Sequence, residues 1–174
     1  MKVRNMALCA LFAALLCVCA WISIPVGDTA ITMQTFGIFL TLGILGGKRG
    51  TIAVAIYLLL GIVGLPVFSG FRGGLGALMS VTGGYIAGFL ATSLIYWLVT
   101  ALGRDKEIFR LLGMALGLLA CYLLGTLWFR YGYLSYGGLG WGAILLKCVV
   151  PYLLPDAAKL ILAWLLSRRL RRFA

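Results

Sequence analysis

An acidic and a basic residue near the C-terminus are the pair best placed to do chemistry. Asp156 and Lys159 are three positions apart in a largely apolar segment, so on a helix they share one face. They present a hydrogen-bond acceptor and a donor, which suits a ligand with N–H groups and a carbonyl or carboxylate. In the structural alternative, Asp156 stabilises a helix N-terminus, with Lys159 as its ion-pair partner or reaching the membrane interface. Because ionisable residues are costly within apolar membrane segments, we interpret the pair as a candidate ligand site.

Four other residues are candidates for the same ligand site. Arg72 could clamp an anionic group of the ligand, or it could be a solvated loop charge. Gly74, in the glycine-rich segment 69–76, allows a tight turn or a close approach of the backbone to a ligand. Tyr85 could stack on a ligand or hydrogen-bond to it, or lie in the aromatic belt of the membrane interface. Gln34, near the start of an apolar run, could line the same opening.

The sequence excludes several kinds of chemistry. It contains no histidine, which removes histidine acid–base catalysis and histidine metal ligation. Its five cysteines have no zinc-site spacing. Segment 43–49 resembles a phosphate-binding loop, but its glycine spacing is one residue short and Arg49 stands where serine or threonine would hold magnesium. We therefore predict no catalytic residue, no metal and no cofactor, and any uphill transport would need ATPase partners or an ion gradient.

Composition places these candidates in a membrane protein. Hydrophobic residues make up 63% of the 174 residues and charged residues only 11%. A soluble domain of this size could not cover so much apolar surface with polar groups, whereas a lipid bilayer is itself an apolar solvent. The many glycines fit the same interpretation, because glycine lets membrane helices approach closely.

Six apolar runs predict an all-α integral membrane protein with six transmembrane helices in a single domain, residues 1–174. The second and third runs are short for a full span and flank a basic glycine-containing turn at 46–50. For the last run we expect the main helix to start at Pro155, since proline suits the first helical position. The runs cover residues 6–24, 30–46, 51–65, 82–102, 108–129, and a final stretch that begins within 142–155 and ends at 167.

The distribution of basic residues predicts cytoplasmic N- and C-termini. With that orientation all but four of the 15 basic residues lie inside, as the positive-inside rule requires. The net charge of +11 therefore reflects membrane topology, and no nucleic-acid partner is predicted. The polar loops and the starts of the fourth and sixth helices then face outside, which indicates capture of a small molecule from the external medium. The four exceptions are Arg72, Arg130, Lys147 and Lys159.

Taken together, six motifs resemble the BioY family, the biotin-specific substrate-binding (S) components of energy-coupling factor (ECF) vitamin importers. They follow the family order over nearly the whole chain, and their combination is far more specific than any one of them. The segments are 31–37 (ITMQTFG), 47–50 (GKRG), 64–68 (GLPVF), 73–76 (GGLG), 82–89 (TGGYIAGF) and 151–159 (PYLLPDAAK).

The resemblance implies a biotin pocket near the outer face and partnership with a transmembrane coupling subunit and two ATPase subunits. Asp156 and Lys159 match the polar pair of helix six that is expected to contact biotin, and Tyr85 matches the aromatic position after the paired glycines. The pair Ala10 and Ala14 resembles the small-residue motif through which S components dock on the coupling subunit.

We therefore expect a biotin-binding S component, not an enzyme, in the cell membrane of a prokaryote, with ATP used by its partner subunits. Which pocket residue meets the ureido ring and which the carboxylate stays open at this stage. The alternatives are an S component for another vitamin, a membrane-embedded enzyme using Asp156 and Lys159 as acid and base, and a structural subunit that binds no small molecule.

Overall fold

Long apolar helices dominate the part of the chain that the computed structural model describes, residues 3–26, 29–103, 106–132 and 140–173. Five helices among these residues are long and apolar enough to cross a membrane: α1 (Val3–Trp21), α2 (Gln34–Ile62), α4 (Gly83–Leu102), α5 (Glu107–Gly132) and α7 (Val150–Leu170). Two shorter helices are α3 (Leu75–Leu78) and α6 (Trp141–Cys148), and two 3₁₀ turns cover Ser69–Phe71 and Arg171–Phe173. The prediction of a helical, multi-pass membrane protein is confirmed.

Helix α2 is a hairpin of two limbs, residues 34–45 and 47–62. Between them Gly46 has φ 77° and ψ 174°, a backbone conformation that is essentially restricted to glycine. Gln34 Nε2 donates to Tyr57 OH at 2.6 Å although the two residues are 23 positions apart. In a straight helix they would be about 34 Å apart, so the chain must reverse at Gly46. The two limbs correspond to the second and third apolar runs, and the reversal begins at the first residue of the predicted turn.

A short antiparallel β-hairpin, which the sequence analysis did not predict, precedes α2. Strands β1 (Ser23–Val26) and β2 (Thr29–Thr32) pair with Ser23 opposite Thr32 and Val26 opposite Thr29. The expected start of the second helix at residue 30 was wrong, because the β-branched residues there favour a strand and the helix begins at Gln34.

The predicted start of the last helix at Pro155 was also wrong. The helical conformation is interrupted at Val149, between α6 and α7. Helix α7 begins at Val150, with Pro151 in its first turn. Pro155 lies inside the helix, where the missing N–H removes one backbone hydrogen bond. Asp156 therefore sits in the second turn of α7 and not at its N-terminus, which removes the helix-capping explanation for this carboxylate.

Glycines allow α4 and α5 to pack with their backbones close together. A Cβ atom on Gly84 would lie 2.2 Å from Trp128 Cβ, and one on Gly88 would lie 3.0 Å from Cys121 Cα. On the facing helix, a Cβ on Gly125 would lie 2.3 Å from the ring of Tyr85. This is the close approach that small residues permit between membrane helices.

Helix α7 is anchored to α2 and to α5. A Cβ on Gly43 would lie 2.5 Å from Ser167 Oγ, so the first limb of α2 lies directly against α7. Directly after the end of α7, Arg171 forms an ion pair with Glu107, the first residue of α5. These contacts place the first turns of α7 opposite the start of α2 and the middle of α5, where the candidate site lies.

Candidate ligand-binding site

A cavity lies between the β-hairpin, the start of α2, the loop 63–82 and helices α4, α5 and α7. Its empty volume is about 880 Å³ when the open space at its mouth is counted. Its lining combines apolar side chains with two sets of polar residues that differ in burial. The buried end holds Gln34, Thr35, Tyr122, Asp156 and Lys159, and the more exposed end holds Ser69, Arg72, Ser80 and Thr82. The apolar walls include Phe68, Ala77, Ile86, Phe89 and Leu118.

Asp156 is the centre of a hydrogen-bond network at the buried end. Its Oδ1 accepts from Lys159 Nζ at 2.8 Å and from Thr35 Oγ1 at 2.9 Å. Its Oδ2 accepts from Tyr122 OH at 2.7 Å. The carboxylate thus joins three helices, because Thr35 belongs to α2, Tyr122 to α5 and Asp156 to α7.

The predicted pairing of Asp156 with Lys159 on one helix face is present. The two residues are only 5% and 8% exposed. Two buried charges are tolerated when they pair and make further hydrogen bonds, and this carboxylate accepts three hydrogen bonds from the protein. The buried end of the cavity is therefore polar but carries no net charge from this pair.

Tyr85 and Arg72 both line the cavity that Asp156 and Lys159 line. The Tyr85 hydroxyl donates to the Cys148 carbonyl oxygen at 3.2 Å, which ties α4 to the end of α6. Arg72 is exposed, and its Nε donates to the Ser69 carbonyl oxygen at 3.2 Å. Apart from Lys159, Arg72 is the only cation among the described residues that line the cavity.

Gln34 and Gly74 have mainly structural contacts. Gln34 lines the cavity, but its Oε1 accepts from Thr32 Oγ1 at 3.1 Å and its Nε2 donates to Tyr57, so most of its hydrogen-bonding capacity is used. Gly74 is not among the residues that line the cavity. It has φ 78°, and its N–H donates to the Gly61 carbonyl oxygen at 2.7 Å, which holds the loop over the hairpin of α2.

Ala10 and Ala14 do not line the cavity and lie on the exposed side of α1. The opposite side of the same helix buries Cys9, Ala13 and Leu16 in the protein core. The structure thus leaves the small-residue pair available to a partner or to lipid.

Sequence reasoning did not identify Tyr122 as a site residue. The residue lies in the middle of the long apolar run of α5, and nothing in its local sequence points toward Asp156, which is 34 positions away. The available signal was a hydroxyl group in the middle of a membrane segment, where polar groups are expensive unless they have a partner.

Together these features define a multi-spanning membrane protein with a small-molecule cavity that combines a buried polar network, an exposed cation and apolar walls. The sequence matches the BioY family over residues 1–174. It is 37% identical to a probable biotin transporter BioY of Pyrococcus horikoshii, over 98% of both chains. It is also 37% identical to the biotin transporter BioY of Thermotoga maritima, over 97% of this chain and 96% of the relative.

A solved structure agrees with these relatives. The crystal structure of the S-component for biotin from an ECF-type ABC transporter matches with a TM-score of 0.86 and 27% sequence identity, over 98% of this chain and 92% of the other. The chain belongs to the BioY family. The predicted family is confirmed, and so is the prediction that the chain is not an enzyme, because the relatives and the structural match are transporters or transporter components.

Proposed function

We propose that this protein is the biotin-binding S component of an ECF-type importer, which captures biotin with high affinity for uptake. The family, the names of the relatives and the structural match support this proposal. The observation that carries it is the buried Asp156–Lys159 pair in a cavity that also has apolar walls and an exposed cation, Arg72. Such a site suits a ligand with a neutral polar head, an apolar body and a charged tail.

The charges of the cavity indicate how biotin would lie in it. A ureido ring is neutral and offers N–H donors and a carbonyl acceptor, which complement the carboxylate of Asp156 and the ammonium of Lys159. The apolar walls suit the rest of the bicyclic ring and the aliphatic chain. The carboxylate would then reach the exposed end of the cavity, where Arg72 offers a positive charge.

Within this proposal the two limbs of α2 are the second and third of six transmembrane helices in a single domain, and both termini are cytoplasmic. The described basic residues near the start of α1, the reversal of α2, the start of α5 and the end of α7 support this orientation. The cavity would then open to the outside of a prokaryotic cell membrane.

A transmembrane coupling subunit and two ATPase subunits would supply the energy for import. The sequence has no phosphate-binding loop of its own, so the protein would use no cofactor and ATP would be hydrolysed by the partners. The exposed pair Ala10 and Ala14 on α1 is the proposed contact with the coupling subunit, because small residues let another helix approach closely.

Enlarging that pair should block assembly without affecting ligand capture. We expect Ala10→Leu combined with Ala14→Leu to reduce co-purification of the coupling subunit at least tenfold, a loss of about 1.4 kcal/mol, because the added side chains hold the helices apart. Ala101→Leu, which enlarges an exposed alanine on α4, is the matched control. Undiminished co-purification of the double variant would place the docking surface elsewhere.

Equilibrium binding to detergent-purified protein tests the proposed ligand directly. Biotin should bind saturably, and riboflavin and thiamine should not compete with it. If folded protein binds riboflavin or thiamine but not biotin, the protein is an S component for another vitamin. If it binds none of the three, the proposed role in biotin uptake is wrong.

Arg72→Gln should weaken the binding of biotin, and only through the loss of the contact with the biotin carboxylate. We expect about a tenfold loss of biotin affinity, because one charge-assisted hydrogen bond at an exposed end contributes about 1.5 kcal/mol. A biotin analogue without the carboxylate should bind the variant and the wild type equally well. Arg130→Gln is the control, since Arg130 stacks on Trp141 and does not line the cavity. Equal losses for both ligands would show that Arg72 supports the loop and does not bind the anion.

A further inference from the structure

The protein donates more hydrogen bonds to one carboxylate oxygen of Asp156 than to the other. Oδ1 accepts from Lys159 and from Thr35, at 2.8 and 2.9 Å, whereas Oδ2 accepts from Tyr122 alone among the described residues, at 2.7 Å. Each carboxylate oxygen has two lone-pair directions. The acceptor direction that remains for a ligand is therefore on Oδ2, next to the hydroxyl of Tyr122.

The hydrogen bond between Tyr122 and Asp156 has only one possible polarity. A carboxylate paired with an ammonium group can only accept, so the single hydroxyl proton of Tyr122 is committed to Oδ2. Tyr122 is buried and belongs to α5, whereas Asp156 belongs to α7, so this bond fixes the position of Oδ2 relative to α5.

We propose that Tyr122 is a positioning residue that determines ligand specificity: its hydroxyl orients the remaining lone pair of Asp156 Oδ2 toward an N–H donor of the ligand. A ligand with an oxygen or a methyl group at that place would meet a lone pair and leave it unpaired, which is how polar sites reject close analogues. The ligand class is a ring with an N–H beside a carbonyl, the carbonyl being left to Lys159. This inference rests on the proposed function and deepens it.

A double-mutant cycle tests whether Tyr122 acts through Asp156. Biotin dissociation constants are measured for the wild type, Tyr122→Phe, Asp156→Asn and the double variant. We expect Tyr122→Phe to weaken binding about tenfold in the wild-type background and less than about twofold in the Asp156→Asn background. Equal losses in both backgrounds, or no loss in the single variant, would overturn the proposal.

The ligand supplies a second readout that a merely structural role would not change. Two biotin analogues, each methylated at one ureido nitrogen, lack one N–H donor apiece. For one analogue, the ratio of the biotin affinity to the analogue affinity should be about tenfold smaller in Tyr122→Phe than in the wild type. An unchanged preference for both analogues would contradict the assignment of Oδ2 to a ligand N–H.

Two further variants test whether the change in biotin affinity comes from the loss of the Tyr122 hydroxyl. Tyr96→Phe removes another buried tyrosine hydroxyl, on α4 and away from the cavity lining, and should leave biotin affinity unchanged. If Tyr122→Phe does not fold, Tyr122→Met removes the hydroxyl with a flexible apolar side chain. Failure of the wild type to bind biotin would refute the proposed function, whereas normal wild-type binding with an additive cycle would refute only the role of Tyr122.

Discussion

Asp156→Asn is expected to lower biotin affinity about a hundredfold. The substitution keeps the size of the side chain but replaces one carboxylate oxygen with an N–H₂ group. The new donor must face either Tyr122 or the two donors on Oδ1, Thr35 and Lys159, each of which needs an acceptor. A charge-assisted hydrogen bond to the ligand contributes about 1.5–3 kcal/mol, and disruption of the surrounding network adds to its loss.

The variant also leaves the Lys159 ammonium without a charged partner in a buried site. Removal of one member of a buried ion pair typically costs about 3–5 kcal/mol, so we expect a lower unfolding temperature as well. Addition of biotin should raise that temperature much less than it does for the wild type, because stabilisation by a ligand depends on its concentration relative to its dissociation constant.

Glu107→Gln is the matched control for Asp156→Asn. It makes the same change from carboxylate to amide in the other acidic residue of the described chain, at the end of the bundle where Glu107 pairs with Arg171. Biotin affinity should be unchanged in this variant, measured by equilibrium binding to detergent-purified protein. If Asp156→Asn lowers biotin affinity less than threefold, Asp156 does not bind the ligand.

Gly84→Leu is expected to prevent α4 and α5 from packing. Even a Cβ atom at this position would lie 2.2 Å from Trp128 Cβ and 2.9 Å from the Leu124 carbonyl oxygen, and the latter is backbone that cannot rotate away. The two helices would have to separate along their whole contact, which we estimate to cost at least about 3 kcal/mol. The midpoint temperature of unfolding should fall sharply, or the protein should not be recovered as a monodisperse species.

Gly142→Leu provides the comparison within the same chain. Gly142 lies within α6, and a Cβ atom there would meet nothing within 4 Å. Leucine has a higher helix propensity than glycine by up to about 1 kcal/mol, so this variant should be as stable as the wild type or slightly more stable. A Gly84→Leu variant as stable as the wild type would show that α4 and α5 do not pack closely at Gly84.

The class of protein and the order of the helices could be predicted from the sequence. The long apolar runs need no tertiary information, because a hydrophobic segment of sufficient length is stable in lipid as a helix whatever its neighbours are. The boundaries were less certain, since local signals competed. Pro155 looked like a helix start, yet it lies within α7, where the surrounding turns tolerate the loss of one hydrogen bond.

For the candidate site, the sequence by itself determined which residues share a helix face, and the cost of ionisable residues in apolar membrane segments indicated which of them to consider. Asp156 and Lys159 can pair because their spacing places them on one helix face. The tertiary structure alone decided that Thr35 and Tyr122, 121 and 34 positions away, meet the same carboxylate. The tertiary structure also decided that Thr32 and Tyr57 use most of the hydrogen-bonding capacity of the Gln34 side chain. The physical reason is that contacts between helices depend on the reversal at Gly46 and on the close approach of α4 and α5 at glycines. The spacing of glycines along one helix shows that another helix can approach it, but not which helix does.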